Sequence, residues 1–482
     1  MHSDKTDEII IDEENQTFRN ELATVTKEGK RKWIYPKKPS GRFYNARNII
    51  SAFLLLILVV TPFIKVNGHP FILLDFLSRK FILFGIYFGP HDFHLFVIAM
   101  IATIVFIILF TAVFGRVFCG WACPQTIFME MVFRKIEYWI EGDARDQLKL
   151  NSQPMNANKF FKKLVKHSVF FGIAFSISNI FLAYIIGIDD LIKIITDPPS
   201  EHTQGLIVIT IFSGVFYFIF SSFREQVCTI VCPYGRLQGV LLDKDSIVIA
   251  YDNIRGEPRG KIKKDEDQKH LGDCIDCYQC VVVCPTGIDI RNGIQLECVN
   301  CTACIDACDA IMDKVNRPRG LIRYASQNSI EKKAKWKFTP RAISYSLLLT
   351  VLLGVLSFLL LTRSDFSINI LRTPGLLFQE QPNDMVSNIY DLNIVNKTFN
   401  EIAVDLKLEN VQGEIKLVGK EIIMKPQEII DAKFLVLLSK NDLSKMNTPI
   451  DIGIYNKDKL ITKVSTSFLA PMKKKENIDD EN

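Results

Sequence analysis

The sequence predicts a multi-domain membrane protein: an α-helical polytopic membrane domain of five spans, an inserted cysteine-rich α+β domain, and a C-terminal all-β sandwich. Three features predict it. Long uncharged apolar blocks recur before residue 224 and again after Arg341. All twelve cysteines fall between Cys119 and Cys308 in close-set groups. After Asp384 the apolar residues change to short alternating runs. A chain of 482 residues has room for about three domains. Its average of 48% hydrophobic and 23% charged residues looks soluble only because the apolar residues are segregated. A net charge of +5, with no Lys/Arg-rich stretch interleaved with aromatics, excludes a dedicated nucleic-acid binder. Twelve cysteines clustered within a long chain exclude a small disulfide scaffold and point to metal.

Blocks long enough to cross a bilayer, about 20 residues each, run from Leu95 to Phe114, Ser168 to Ile188, Gly205 to Phe223 and Ala342 to Thr362. A shorter one, Ile49 to Ile64, extends through Asn48 and a snorkelling Lys65. Phe71 to Phe88 is apolar but carries Asp75, Arg79 and Lys80, and is read as interfacial. Cytoplasmic loops keep an excess of Lys and Arg. Basic residues crowd the segment before the first span, from Lys27 to Arg47, and the loop from Arg116 to Lys166. The loops holding only Lys65, Arg79 and Lys80, or only Lys193, therefore lie outside. The first 45 residues are polar, without a secretory signal, so the N-terminus stays inside. Five spans then leave 224–341 cytoplasmic and everything after Thr362 exported.

The second and fourth spans end alike, in Phe114-Gly-Arg-Val-Phe-Cys119-Gly-Trp-Ala-Cys123-Pro124 and Phe223-Arg-Glu-Gln-Val-Cys228-Thr-Ile-Val-Cys232-Pro233. Each motif follows a hairpin of spans, so the membrane part reads as two parallel repeats about an axis along the membrane normal. That symmetry gathers Cys119, Cys123, Cys228 and Cys232 at one face. Cysteines at i and i+4 share one side of a helix, about 6 Å apart at Cβ, and thiolates select Cu(I), zinc or iron-sulfur. Spacing leaves the choice open. Met129 and Met131 read as core, and His91 and His94 as interfacial residues without a metal.

Further along, Cys274-x2-Cys277-x2-Cys280-x3-Cys284-Pro285 precedes Cys298-x2-Cys301-x2-Cys304-x3-Cys308. This is the two-cluster ferredoxin spacing, in which the fourth cysteine of each run ligates the other cluster. Cys274, Cys277, Cys280 and Cys308 are thus assigned to one 4Fe-4S cluster, and Cys298, Cys301, Cys304 and Cys284 to a second. No glycine-rich dinucleotide fingerprint follows a strand, so the electron donor lies outside this polypeptide. The turns Arg255-Gly-Glu-Pro-Arg-Gly260 and Arg317-Pro-Arg-Gly320 flank the array and read as solvated turns.

In the tail, Ile402 to Leu408, Glu414 to Val418, Ile429 to Leu438, Ile450 to Tyr455 and Leu460 to Leu469 alternate with period two, the pattern of an antiparallel sandwich. It holds no cysteine and reads as a docking module. The first 25 residues and Lys473 to Asn482 are charged tails expected to be disordered.

Taken in order, the basic N-terminus, the spans, CGWACPQ at Cys119 to Gln125, CPYGRLQ at Cys232 to Gln238, RGEPRG, the eight-cysteine array and RPRGLIRY at Arg317 to Tyr324 resemble the cytochrome c oxidase accessory proteins of the CcoG/FixG/RdxA family. The resemblance implies an immunoglobulin-like tail, two 4Fe-4S clusters and copper as cofactors, and a copper site at Cys119, Cys123, Cys228 and Cys232. It also implies reduction of Cu(II) to Cu(I) during assembly of a cbb3-type oxidase, in the bacterial inner membrane, with oxidase subunits or copper chaperones as partners. A quinol dehydrogenase subunit feeding a periplasmic reductase is the rival, since it also pairs CxxxCP motifs with a two-cluster segment. The expected domains are 1–45 basic, 46–240 membrane, 241–335 ferredoxin-like, 342–362 fifth span and 366–472 immunoglobulin-like.

Overall fold

The computed structural model describes residues 24, 30–77, 79–262, 270–333, 339–375, 377–382, 384–419, 421–440, 443, 445–457 and 459–471. The expectations of disordered tails at residues 1–25 and 473–482 fall outside these, Thr24 apart. The chain divides into two compact units, 1–73 with 98–354 and 74–97 with 355–482.

Among the described residues five helices are long and apolar enough to cross a membrane. They run over Arg42–Phe63, Pro90–Phe114, Ala157–Ile186, Thr203–Phe223 and Pro340–Leu361. The first and third begin well before their apolar blocks, because basic turns carrying Arg42 and Arg47, or Lys159 to Lys166, continue the same helix. Hydropathy reads only the part that lipid selects. The third helix is capped by Asn156, whose side chain accepts from the Lys159 N–H at 2.7 Å.

In the first unit, Phe128, Met129, Phe133, Phe170, Ile177 and Phe220 form an aromatic core. Phe133 stacks on Phe220 at 5.0 Å. Beside it lies a buried charge network. Glu137 pairs with Arg224 at 2.8 Å and Lys166 at 3.4 Å, Lys166 with Glu141 at 2.8 Å, and Arg134 with Glu130 at 3.0 Å. Arg134 and Glu141 are each about 1% exposed, so these ions survive burial only through one another.

The cysteine-rich segment belongs to this unit and is held together by the short antiparallel pair Val248–Tyr251 and Ile322–Ala325. Its helix Ala303–Lys314 meets the start of the first spanning helix. The Asp306 carboxylate accepts from the N–H groups of Phe43 at 3.2 Å and Tyr44 at 2.8 Å, satisfying donors that a helix N-terminus leaves unpaired. Gly41, at φ +149°, passes so close to Asp306 that any side chain there would collide with it.

Among its described residues, 71–88 is not a helix. Its core is a three-stranded antiparallel meander of Ile72–Asp75, Lys80–Leu83 and Ile86–Phe88, with strands of only three or four residues. The tail is a sandwich. One sheet runs in the order Glu414–Val418, Ile429–Ser439, Met385–Asn396, Phe366–Arg372, with Gln379–Gln381 also pairing Met385–Asn396. The other runs Ile422–Met424, Ile402–Leu408, Asn447–Asn456, Lys459–Leu469. Tyr390 joins the layers, stacking on Phe434 at 5.4 Å and donating to the Ser467 carbonyl at 2.9 Å. Buried Asp92 binds Arg363 and Lys397, each at 2.8 Å.

Candidate redox site

The membrane repeat holds in the backbone. Gly115 and Arg224 occupy the same place in the two motifs, and both have positive φ, +56° and +49°. The conformation is easy for glycine and costly for arginine. At position 224 it is held by the ion pair to Glu137. Four residues beyond each turn come Cys119 and Cys228. The Cys123 N–H then donates to the Phe118 carbonyl at 2.9 Å and the Cys232 N–H to the Val227 carbonyl at 2.8 Å, both reaching back five residues.

The second cysteine of each motif corrects the expectation of two thiols on one helix face. Cys123 (ψ 124°) and Cys232 (ψ 112°) are extended. The following proline clashes with a helical residue before it, and the helix restarts at Pro124 and at Pro233. All four thiols are half-buried and none is in a disulfide. Burial pushes the Cys119 thiol up to about 11 and the Cys228 thiol to about 12. Gln238, fully buried, opposes this at Cys119 by donating to its Sγ at 3.4 Å.

The eight other cysteines line two cavities. One is walled by Cys284, Cys298, Cys301 and Cys304, and Cys280 lines it too. The other is walled by Cys274, Cys277, Cys280 and Cys308. The rest of the lining is mostly apolar, from Ile249, Ile288 and Ile290 around the first and Ile311, Met312 and Leu321 around the second, with Thr286 polar in the first and Arg291 charged in the second. Both runs place positive φ at the second and fourth positions after their first cysteine: Asp276 and Tyr278 in one, Asn300 and Thr302 in the other. Alternation of this kind turns backbone N–H groups inward, a concavity suited to an anion. Soft thiols in fours, apolar walls and such turns fit iron-sulfur clusters. Burial holds Cys280 and Cys308 at about 12, so metal binding must displace their protons.

The two sets of thiols meet. Cys119 and Cys228 pack against Val283, Val299, Cys301 and Ala303. Gly120 makes this contact possible, because a Cβ there would come closer than 3.0 Å to the Val299 and Asn300 carbonyls. Buried Arg47 ties the two backbones, donating to the Gly120 carbonyl at 3.0 Å and the Cys301 carbonyl at 2.8 Å. Trp121 donates to the Tyr324 hydroxyl at 2.9 Å, and that hydroxyl to the Asn300 carbonyl at 3.4 Å.

Sequence reasoning missed Arg47 and Gln238. Arg47 registered only as one of many loop charges, and Gln238 lay inside a quoted motif with no signal of what it touches. It also undervalued the Arg255 turn. Arg255 pairs with Asp273 and donates to the Pro318 and Arg319 carbonyls, so the two turns brace each other. The Gly260 N–H donates to the Cys274 carbonyl at 3.1 Å, placing that brace against the array. Met129 is core, 2% exposed.

Three protein-family models match the chain: a 4Fe-4S dicluster domain over 223–327, a 4Fe-4S binding domain over 96–142, and an IG-like fold at the C-terminal of FixG over 356–471. Protein RdxA of Cereibacter sphaeroides is 36% identical over 397 residues, 79% of this chain and 83% of that protein. The nitrogen fixation protein FixG of Rhizobium meliloti is 31% identical over 467 residues, 85% of this chain and 87% of its own. Protein RdxB of Cereibacter sphaeroides is 34% identical over 388 residues, 76% and 80% of the respective chains. With the dicluster cysteines, the five apolar helices and the sandwich all in place, the chain belongs to the FixG/RdxA family of membrane iron-sulfur redox proteins.

Proposed function

We propose that this protein reduces Cu(II) to Cu(I) for the copper centre of a cbb3-type oxidase, at the face formed by Cys119, Cys123, Cys228 and Cys232. The observation that carries the reading is that Cys119 and Cys228 pack against the buried cluster to which Cys301 of the cysteine array belongs. Bound in their two cavities, the clusters supply one-electron transfer. The chain's own residues set the geometry. Gly120 lets the two backbones touch, and Arg47 fixes their register. Each Cu(II) takes one electron, drawn from a reduced one-electron carrier protein, and no bond to the protein is made or broken in the transfer. Soft thiolates favour Cu(I) over Cu(II), which adds driving force. The excess of Lys and Arg in the loops supports a cytoplasmic cysteine array and a sandwich outside the inner membrane, and the proposed receivers of the product are oxidase subunits or copper chaperones.

Membranes carrying the protein, reduced anaerobically, are given Cu(II) in one arm and a quinol in the other. Chain-dependent appearance of Cu(I), read with a Cu(I)-specific chelator, is the expected result. Cluster reduction by quinol with Cu(II) left untouched would replace the copper reading with that of a quinol dehydrogenase.

A further inference from the structure

A single ion held by three or four thiolates at about 2.3 Å draws its sulfurs to within about 4.6 Å of one another. Among the described residues, which include every cysteine, no three Cys Sγ atoms come within 4.8 Å of one another. The trio that does, Asp197, Glu201 and His202, is a partly exposed acidic group elsewhere. The membrane thiols are still neighbours, for Cys228 lies within electrostatic reach of Cys123, Cys119 and Cys232. They are close, but too spread for one ion. The eight cysteines of the dicluster segment show the same spread, as expected where each thiolate takes a different iron of a cubane. The cause at the membrane face is local: the breaks before Pro124 and Pro233 carry Cys123 and Cys232 off the faces that hold Cys119 and Cys228.

A second observation concerns charge. Arg47 and Arg116 are 4% and 5% exposed, and neither is within ion-pair distance of a described carboxylate. Arg47 donates to the carbonyls of Gly120 and Cys301, and Arg116 to those of Gly235 and Leu296. The Nε of Arg116 has no partner at all. Glu297 lies within electrostatic reach of Arg116, but buried Arg47 still calls for a compensating anion, since a buried charge without one is costly. A third observation is one of count. The 4Fe-4S binding match over 96–142 contains only two cysteines, Cys119 and Cys123, half of what a cubane needs. The repeat supplies the other half.

Resting on the electron-transfer part of the reading above and replacing its direct copper–thiolate contact, we propose that Cys119, Cys123, Cys228 and Cys232 together hold a third iron-sulfur cluster of the 4Fe-4S kind, two ligands from each half of the membrane repeat. Copper is then the electron acceptor at this face and not its resident metal. Arg47 and Arg116 balance the charge of the thiolate-bound cluster, and Arg47 also couples it to the Cys301 loop.

The full-length protein, purified anaerobically, is assayed for iron, acid-labile sulfide, copper and zinc, with spin quantitation after reduction. Iron and sulfide near twelve per chain are expected, as for three 4Fe-4S centres. The pairs Cys119→Ser with Cys123→Ser, and Cys228→Ser with Cys232→Ser, should each fall to about eight, with the signals of the remaining centres unchanged. About eight iron in the wild type, with copper or zinc bound at the membrane thiols or with those thiols open to alkylation, overturns the proposal. If a serine pair fails to assemble, the wild-type count decides alone. Cu(II) reduction by the same samples separates the two ideas. Eight iron with active copper reduction sinks only the third cluster, and twelve iron without it sinks only the copper reading.

Discussion

Glu137 shows how much one side chain holds in place at the membrane face. Burial alone would raise its pKa, yet the cations of Arg224, Lys166 and Arg134 hold it at about 2, below the ordinary 4.5. Its contribution to stability is therefore fully present above pH 4.5 and is lost as the pH falls through about 2. Replacing it by Gln leaves Arg224 buried without its 2.8 Å carboxylate partner and Lys166 with Glu141 alone, a loss of about 3–5 kcal/mol at neutral pH. Denaturant unfolding of the detergent-solubilised protein from pH 6 to pH 3 checks this. Wild type should hold level down to about pH 4.5 and weaken below it, and the Gln variant should start lower and show a shallower slope. Nothing in the sequence flags Glu137, which sits among ordinary charges. The spacing of the eight array cysteines, in contrast, was legible because their ligand chemistry is local and repeats. Arg47 was not, because its partners are 73 and 254 residues away in the chain.

At the scale of elements, the spans and most tail strands were readable, since a bilayer and a half-buried sheet each impose a period on the sequence. Glu414–Val418 and Ile402–Leu408 appear with the expected bounds. Met385–Asn396 escaped because it lies mid-sheet, buried along nearly its whole length, and so lacks clean alternation. The helical reading of the CxxxC motifs failed for a stereochemical reason, the proline after each second cysteine. The cap on the first spanning helix was equally hidden, because Asp306 belongs to a different helix. Its replacement by Ala should cost about 1 kcal/mol, as for other lost caps, and loosen the array from the membrane helices. A lower midpoint in thermal unfolding, with faster protease cleavage around Gly41, is the expected result, and an unchanged cleavage rate would show that the contact is incidental.

For the whole molecule, composition segregated along the chain was enough to read a membrane part, a cysteine array and a sandwich. What it could not show is that the array joins the membrane helices in one compact unit. The loop-charge reading gives a direct test: protease added outside intact inner membranes should release the sandwich after Thr362 and spare the array. Cleavage between Arg255 and Lys261 in the same sample would reverse the orientation.

The Asp306 contact also carries a consequence for how the protein is made. Phe43 and its carboxylate partner stand 263 residues apart. At ribosomal rates of roughly 5–20 residues per second, the first helix waits tens of seconds for its cap. The last spanning helix and the sandwich emerge later still, after every cysteine has been synthesised. Metal loading and docking of the array thus have an interval of their own during biogenesis, before the tail is translated.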